Sequence, residues 1–292
     1  MQALRGTGVA LVTPFKADLS VDIDAFGRLI DFNLGNGVDY LVVNGTTGES
    51  VTTSPEEKAQ LLAFAKERIA GRKPLVYGLG SNDTNYVLEQ IKTLNFTGVA
   101  AILSVCPYYN KPSQQGVFLH YTAIADASPV PVILYNVPGR TGINMTAATT
   151  LRLAQHPNII GTKDASANME QYMIILEERP EGFLVISGDD MHTVPLISVG
   201  GDGIISVLAN AFPNRFSRMT RLALEGNFAA AGALQRSFGK INPLMYEEAN
   251  PVGVKLALQQ AGICDPYVRL PLAPASDSLV QKVQEAAAPL LK

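Results

Sequence analysis

Asn158-Ile159-Ile160-Gly161-Thr162-Lys163, followed at once by Asp164-Ala165-Ser166, is a short apolar run closed by polar turn residues. Such a run reads as a buried strand, and this one ends on a lysine. Lysine is seldom fully buried without a partner or a task. An ammonium moved into an apolar pocket loses hydration, which favours the neutral amine. A neutral amine can attack a ketone and form a Schiff base. Two plainer outcomes compete: the side chain reaches past the strand end into water, or it pairs with Asp164. The segment alone does not choose among them.

The pattern repeats on both sides of this run. Short β-rich apolar stretches occur at 9–12, 40–43, 75–77, 99–103, 131–135, 159–163, 183–187 and 203–207, each followed by a longer segment of helical character. That makes about eight βα units, the number that closes a (β/α)8 barrel of about 250 residues. An open doubly wound sheet alternates in the same way, so the unit count decides for the barrel. Ser54, Pro55 and Glu57 combine an N-cap, a first-turn proline and a capping-box glutamate, ahead of an apolar face of Leu61, Leu62, Ala65 and Ile69. Ile23, Phe26 and Ile30 form a similar face, as do Phe216, Met219 and Ala223. After Glu225 the alternation stops. Helical segments at 228–238, 254–261 and 278–291 are separated by proline-containing breaks. The expected organisation is therefore a catalytic α/β TIM barrel over residues 1–225 and a helical extension over residues 226–292 packed on it, with no flexible linker.

Bulk properties narrow the partners. The chain has 292 residues, enough to bury a large core without a disulfide or metal staple. Hydrophobic residues make up 47% and charged residues 17%, as in a well-packed enzyme core. A formal net charge of -3, with no basic run, argues against nucleic acid and against an anionic membrane surface. Cys106 and Cys264 are no disulfide framework, and Cys106 reads as a small buried hydrophobe. The N-terminus lacks the features of a signal peptide, and no apolar stretch has membrane-spanning length, so a cytoplasmic location is expected.

A barrel carries its chemistry at the C-terminal ends of its strands. The second run ends in Asn44-Gly45-Thr46-Thr47-Gly48-Glu49-Ser50. Its glycines allow close backbone approach, and successive N–H groups can bind a carboxylate. A tight turn before a capped helix is the alternative; a P-loop is not, since the Gly-Lys-Ser/Thr ending is absent. The fourth run leads to Cys106-Pro107-Tyr108-Tyr109-Asn110-Lys111-Pro112, whose tyrosines suit a proton relay or an interface. The fifth gives Tyr135-Asn136-Val137-Pro138-Gly139-Arg140-Thr141-Gly142. Tyr135 closes a buried strand, so its hydroxyl needs a partner. Arg140 has the fork geometry that grips a carboxylate, against the default of a turn arginine in solvent.

Other signals are weaker. Gly78-Leu79-Gly80 lacks the third glycine of a dinucleotide fingerprint. Ser187-Gly188-Asp189-Asp190 and Gly200-Gly201-Asp202-Gly203 lie where barrels often hold phosphate, yet turn formation or substrate hydroxyl contact suits them better. His120, His156 and His192 have no ligand spacing, so no metal and no cofactor are expected.

Together these segments resemble the pyruvate-dependent class I aldolase and lyase family that includes dihydrodipicolinate synthase and N-acetylneuraminate lyase. The resemblance runs from Gly8-Val9-Ala10-Leu11-Val12-Thr13-Pro14-Phe15 to Arg269-Leu270-Pro271. Gly45-Thr46-Thr47-Gly48-Glu49, Tyr135 and Lys163 match the wider family, and the two tyrosine-containing loops, chiefly through Arg140, match its synthase branch. The resemblance implies condensation of pyruvate with L-aspartate 4-semialdehyde, the committed step of diaminopimelate and lysine biosynthesis. It assigns the Schiff base to Lys163 and proton shuttling to Tyr135. Thr46 would link Tyr135 to Tyr109, which reaches in from a neighbouring subunit. Thr46 and Thr47 would hold the pyruvate carboxylate, Arg140 the semialdehyde carboxylate, and the backbones of Gly188 and Ile205 would line the pocket. A homotetramer built as a dimer of dimers is implied. Two rivals are a family lyase or aldolase acting on another 2-keto acid, against which Arg140 argues, and a non-catalytic pyruvate-binding barrel.

The resemblance also carries a regulatory expectation. Lysine-inhibited members bind lysine at a dimer interface, at positions that correspond to Ser50, Val51, Pro55, Lys58, Asn82, Tyr86 and Tyr108. Histidine often stands at the position of Lys58 and glutamate at that of Tyr86. Here a cation replaces the first and no anion the second, so feedback inhibition by lysine is expected to be weak or absent.

Overall fold

A computed structural model describes residues 2–291. Eight strands, β1 (Gly6–Ala10), β2 (Tyr40–Val43), β3 (Leu75–Gly78), β4 (Ala101–Val105), β5 (Val132–Asn136), β6 (Ile159–Asp164), β7 (Leu184–Ser187) and β8 (Gly203–Ser206), pair in sequence order. All pairings are parallel, and β8 returns to β1 to close the barrel. The fold is a (β/α)8 TIM barrel.

Helices fill the crossovers: α1 (Ile23–Gly35), α2 (Pro55–Ile69), α3 (Thr84–Thr93) and α4 (Gln114–Ala127) follow the first four strands. The short α5 (Pro138–Thr141) and α6 (Ala147–Leu153) share the crossover after β5, and α7 (Met169–Glu178), α8 (Thr193–Ser198) and α9 (Pro213–Leu224) complete the ring. Three more, α10 (Phe228–Ser237), α11 (Val252–Gln260) and α12 (Asp277–Ala287), follow it. The Ser54 capping box forms as read: Ser54 Oγ accepts the Glu57 N–H at 3.2 Å, and Glu57 Oε2 accepts the Ser54 N–H at 2.8 Å.

Strand alternation sorts apolar side chains into two layers. Tyr40, Val42, Ile133, Leu184 and Ile186 pack in the barrel lumen. Leu41, Val43, Val132, Leu134 and Val185 pack outward against the helices. β6 breaks the rule once. Ile159 packs outward and Ile160 inward, and strict alternation from Ile160 would send Lys163 outward. Instead the pairing with β5 steps from Val132↔Ile159 to Ile133↔Gly161, so that Lys163 lies beside Tyr135. This bulge returns the lysine to the lumen side. Gly161 permits it, because a Cβ there would sit 2.7 Å from the Leu184 carbonyl oxygen.

β1 runs over Gly6–Ala10 rather than 9–12. At its C-terminal end the Val12 N–H leaves the ladder and donates to Asn210 Oδ1 at 3.1 Å, while Asn210 Nδ2 donates to the Ala10 carbonyl at 2.8 Å. A side-chain amide beyond β8 thus replaces the strand partner.

Candidate active site

The strand C-terminal ends open into a cavity of about 780 Å³. Lys163, Tyr135, Arg140, Thr46, Thr47 and Gly188 all line it. Four segments far apart in sequence, the exits of β2, β5, β6 and β7, therefore converge on one space, because parallel strands present all their C-terminal ends on one face.

Lys163 is 6% exposed and its Nζ lies 4.2 Å from the centre of the Tyr135 ring. Among the described residues, nothing hydrogen-bonds or ion-pairs with that amine. Asp164, its sequence neighbour, points to the other side of the strand. Its carboxylate accepts hydrogen bonds from Asn136 Nδ2 at 3.0 Å, Gln171 Nε2 at 2.8 Å and the Ser166 N–H at 2.7 Å. Neither plainer outcome for Lys163, solvent or Asp164, is what the fold does. Arg140 is equally without a protein partner among the described residues, at the C-terminal end of α5. Two basic side chains without protein partners, set in a lining that also holds Asp83 and Asp189, leave the cavity with places where an anion can be bound.

Thr46 and Thr47 begin a single helical turn, Thr46–Gly48, directly after β2. The Thr47 hydroxyl accepts a hydrogen bond from Asn250 Nδ2 at 3.0 Å. No hydrogen bond joins the Thr46 hydroxyl to Tyr135 among the described residues. Gly188 follows β7, and a Cβ there would lie 2.7 Å from that of Ala165, so the glycine lets the two strand ends close up.

The cavity lining also includes Ser50, Val51, Lys58, Tyr86 and Tyr108. Asn82, Tyr109 and Ile205 lie outside its lining. Ile205 is buried in the lumen beneath it. Tyr109 has a left-handed backbone, φ 73°, and is 89% exposed. Asn82 uses its carbonyl to accept from Asn110 Nδ2 at 3.0 Å.

Asp189 of the lining falls in the segment read as a turn or substrate hydroxyl contact, whereas Tyr246 and Asn250 were not singled out in the sequence. The last two come from the segment between α10 and α11, which carries no strand-end signal. Asn250-Pro251, read only as a helix break, was their one trace.

The remaining nucleophiles are accounted for. His120 is buried with Nδ1 2.9 Å from Thr84 Oγ1, and desolvation pulls its pKa down to about 4. Cys106 and Cys264 are buried, which pushes both thiols up to about 12 and keeps them protonated. No group of three or more His, Cys, Asp or Glu side chains is arranged to hold a metal among the described residues. No helix among them is long and apolar enough to cross a membrane.

Fold and site together define an amine-centred (β/α)8 barrel whose mouth is built for small anions. Residues 3–289 match the dihydrodipicolinate synthetase family. The chain is 56% identical over 286 residues to the 4-hydroxy-tetrahydrodipicolinate synthase of Cytophaga hutchinsonii, covering 98% of this chain and 96% of that one. It superposes on the dihydrodipicolinate synthase of Aquifex aeolicus with a TM-score of 0.93 and 37% identity, over 97% of this chain and 96% of that one. A lysine-bound synthase from Cyanidioschyzon merolae matches with a TM-score of 0.94 and 39% identity, over 99% of both chains. The protein belongs to the dihydrodipicolinate synthetase family.

Proposed function

We propose that the protein is a lyase that condenses pyruvate with L-aspartate 4-semialdehyde to 4-hydroxy-tetrahydrodipicolinate, in diaminopimelate and lysine biosynthesis. The observation that carries the residue assignment is the buried, unpartnered Lys163 amine beside Tyr135 in a cavity with a second free cation. Lys163 Nζ adds to the pyruvate ketone and water leaves, giving an imine. Loss of a methyl proton converts the imine to an enamine, whose carbon attacks the aldehyde. The amino group of the semialdehyde then displaces Lys163 and closes the ring. Each step moves a proton, and Tyr135 is the nearest group able to carry one. Thr46 and Thr47 take the pyruvate carboxylate and Arg140 that of the semialdehyde, with Gly188 and Ile205 shaping the floor. Family membership and the free guanidinium support this reading over a lyase acting on another 2-keto acid.

The working form is a cytoplasmic homotetramer in which Tyr109 completes the site of a neighbouring subunit. Its 89% exposure, together with that of Val51 in the cavity lining at 83%, supports this, since large apolar side chains left this open are better covered than wet. Mixed oligomers of Lys163→Ala and Tyr109→Phe chains should then regain activity that neither has alone; no gain on mixing would place Tyr109 outside the mechanism.

The primary test is borohydride trapping of pyruvate, with the adduct located by peptide mass. The parent chain should carry it on Lys163, and Lys163→Ala should lose it while keeping its fold. An undiminished adduct in the variant would end the assignment.

A further inference from the structure

The proposed chemistry uses one of the two lysines buried among the described residues. The other, Lys255 on α11, is fully buried. Its Nζ donates to Glu49 Oε1 at 2.6 Å and to the Tyr267 carbonyl at 2.6 Å, and lies 4.3 Å from the centre of the Phe15 ring. Glu49 Oε2 in turn accepts the Arg269 backbone N–H at 3.0 Å. Burial draws the Lys255 ammonium below the usual lysine range, and Glu49 opposes that shift. Burying two charges is expensive, and an apolar pair of the same size often serves stability as well or better. The location of the pair therefore matters more than its strength.

Glu49 is the residue that ends the Thr46–Gly48 turn. It has a left-handed backbone, φ 53°, and its N–H donates to the Thr46 carbonyl at 3.1 Å. Gly45 and Gly48 bracket the turn, so its own sequence does little to hold its shape. The ties come from elsewhere. Thr13 Oγ1 donates to the Gly48 carbonyl at 2.6 Å, and Asn250 fixes the Thr47 hydroxyl. Lys255, itself held by the Tyr267 carbonyl, and the Arg269 N–H hold Glu49. Arg269 further grips both carboxylate oxygens of Glu57, at 2.7 and 2.6 Å, and the Thr52 carbonyl at 2.9 Å. Four of the residues anchoring this loop thus lie beyond α10.

We infer that the Lys255–Glu49 pair positions the Thr46–Thr47 turn, making the segment beyond the barrel a working part of the pyruvate carboxylate site, an inference that rests on the role given to that turn above. Neither residue touches substrate; both are positioning residues that act through the turn. Displacing a substrate-orienting group by about an ångström can cost up to two orders of magnitude in rate.

Lys255→Met removes the charge at similar length, and Glu49→Gln/Lys255→Met leaves no unpaired charge behind. Each is tested with the full chain by titrating pyruvate against borohydride trapping, alongside the thermal midpoint and the semialdehyde KM. Half-saturating pyruvate should rise about tenfold in both variants, by loss of orientation at the turn, with the semialdehyde KM held within about twofold. The double variant should recover part of the thermal midpoint that the single variant loses, while its pyruvate saturation stays weak. Should Lys255→Met fail to fold, the double variant carries the test. Parent-like pyruvate saturation in a folded variant, or an equal rise in both substrates, would overturn the positioning role. A parent chain with no adduct on Lys163 would instead strike the reading of the site itself.

Discussion

Company, more than burial, separates the functional side chains from their neighbours. Lys255 is deeper than Lys163 yet has its protons committed to a carboxylate and a carbonyl. Lys163 and Arg140 line the cavity with none among the described residues; Lys163 is buried and Arg140 stands open to solvent, and a buried amine left unpaired is costly unless a ligand completes it. The Tyr135 ring centre lies 4.2 Å from the Lys163 amine, so two substitutions divide the chemistry. Tyr135→Phe keeps the ring against the lysine and removes only the hydroxyl. Pyruvate trapping should survive while turnover falls by roughly 10²–10⁴, the usual worth of a positioned acid or base. A rate within a few fold of the parent would take Tyr135 out of the proton path. Arg140→Ala should raise the semialdehyde KM by about an order of magnitude or more, since a hydrogen bond to a charged group contributes about 1.5–3 kcal/mol. Half-saturating pyruvate in the trapping assay should barely move; an equal loss for both substrates would make Arg140 a general support of the pocket.

Among the elements, the exits of β7 and β8 are locked together by one carboxylate. Asp190 is buried; its Oδ2 accepts the N–H groups of Val207 at 3.2 Å and Leu208 at 2.9 Å, while Oδ1 has no partner. Desolvation, reinforced by Asp189, lifts its pKa from 3.8 to about 6, against the hydrogen bonds that lower it. Between about pH 4 and 6 the folded chain keeps a proton on Asp190 that the unfolded chain has released. Stability therefore falls as pH rises through this window, and the cost is complete above pH 6. Asp190→Asn has no charge to desolvate. Its stability relative to the parent should improve from pH 4 to 6 by on the order of 2–3 kcal/mol and then level off. Denaturant midpoints across that range check this, and a pH-independent difference would refute it. The constant cost of an amide facing the Oδ1 position cancels from that comparison.

For the molecule as a whole, the cavity is larger than the chemistry at Lys163 requires. Its lining also holds Ser50, Val51, Lys58, Tyr86 and Tyr108, positions that the family resemblance assigns to lysine in lysine-inhibited members. Lys58 is half-buried there, and burial draws its pKa below the ordinary lysine value. Tyr86 brings no charge, and Asp83, the nearby acid of the lining, spends Oδ1 on the Asn85 and Tyr86 N–H groups at 2.9 and 3.4 Å. Like charges about 4 Å apart at an effective dielectric near 20 repel by about 4 kcal/mol. That offsets a millimolar affinity, which corresponds to about 4.1 kcal/mol. Added lysine should therefore inhibit weakly or not at all in activity and calorimetric titrations, and saturable inhibition below about millimolar would show that Lys58 is no barrier.

The order of the eight strands, their parallel closure and the capped α2 were legible because each rests on local periodicity and turn chemistry that a linear chain displays. Lys163, Tyr135, Arg140, Thr46, Thr47 and Gly188 were legible as strand-end residues, since a barrel sends all such ends to one face. What stayed hidden depends on contacts between distant parts of the chain. The bulge before Gly161 is a matter of pairing with β5, and no pattern within β6 alone reveals that Lys163 faces inward. Asn250, Lys255, Tyr267 and Arg269 carry no motif, yet they brace the turn after β2 from the far end of the chain. Sequence determined which residues could do the chemistry, because reactivity belongs to the side chain; tertiary structure decided which would be left unpartnered to do it, because a free amine is defined by what every other segment fails to offer it.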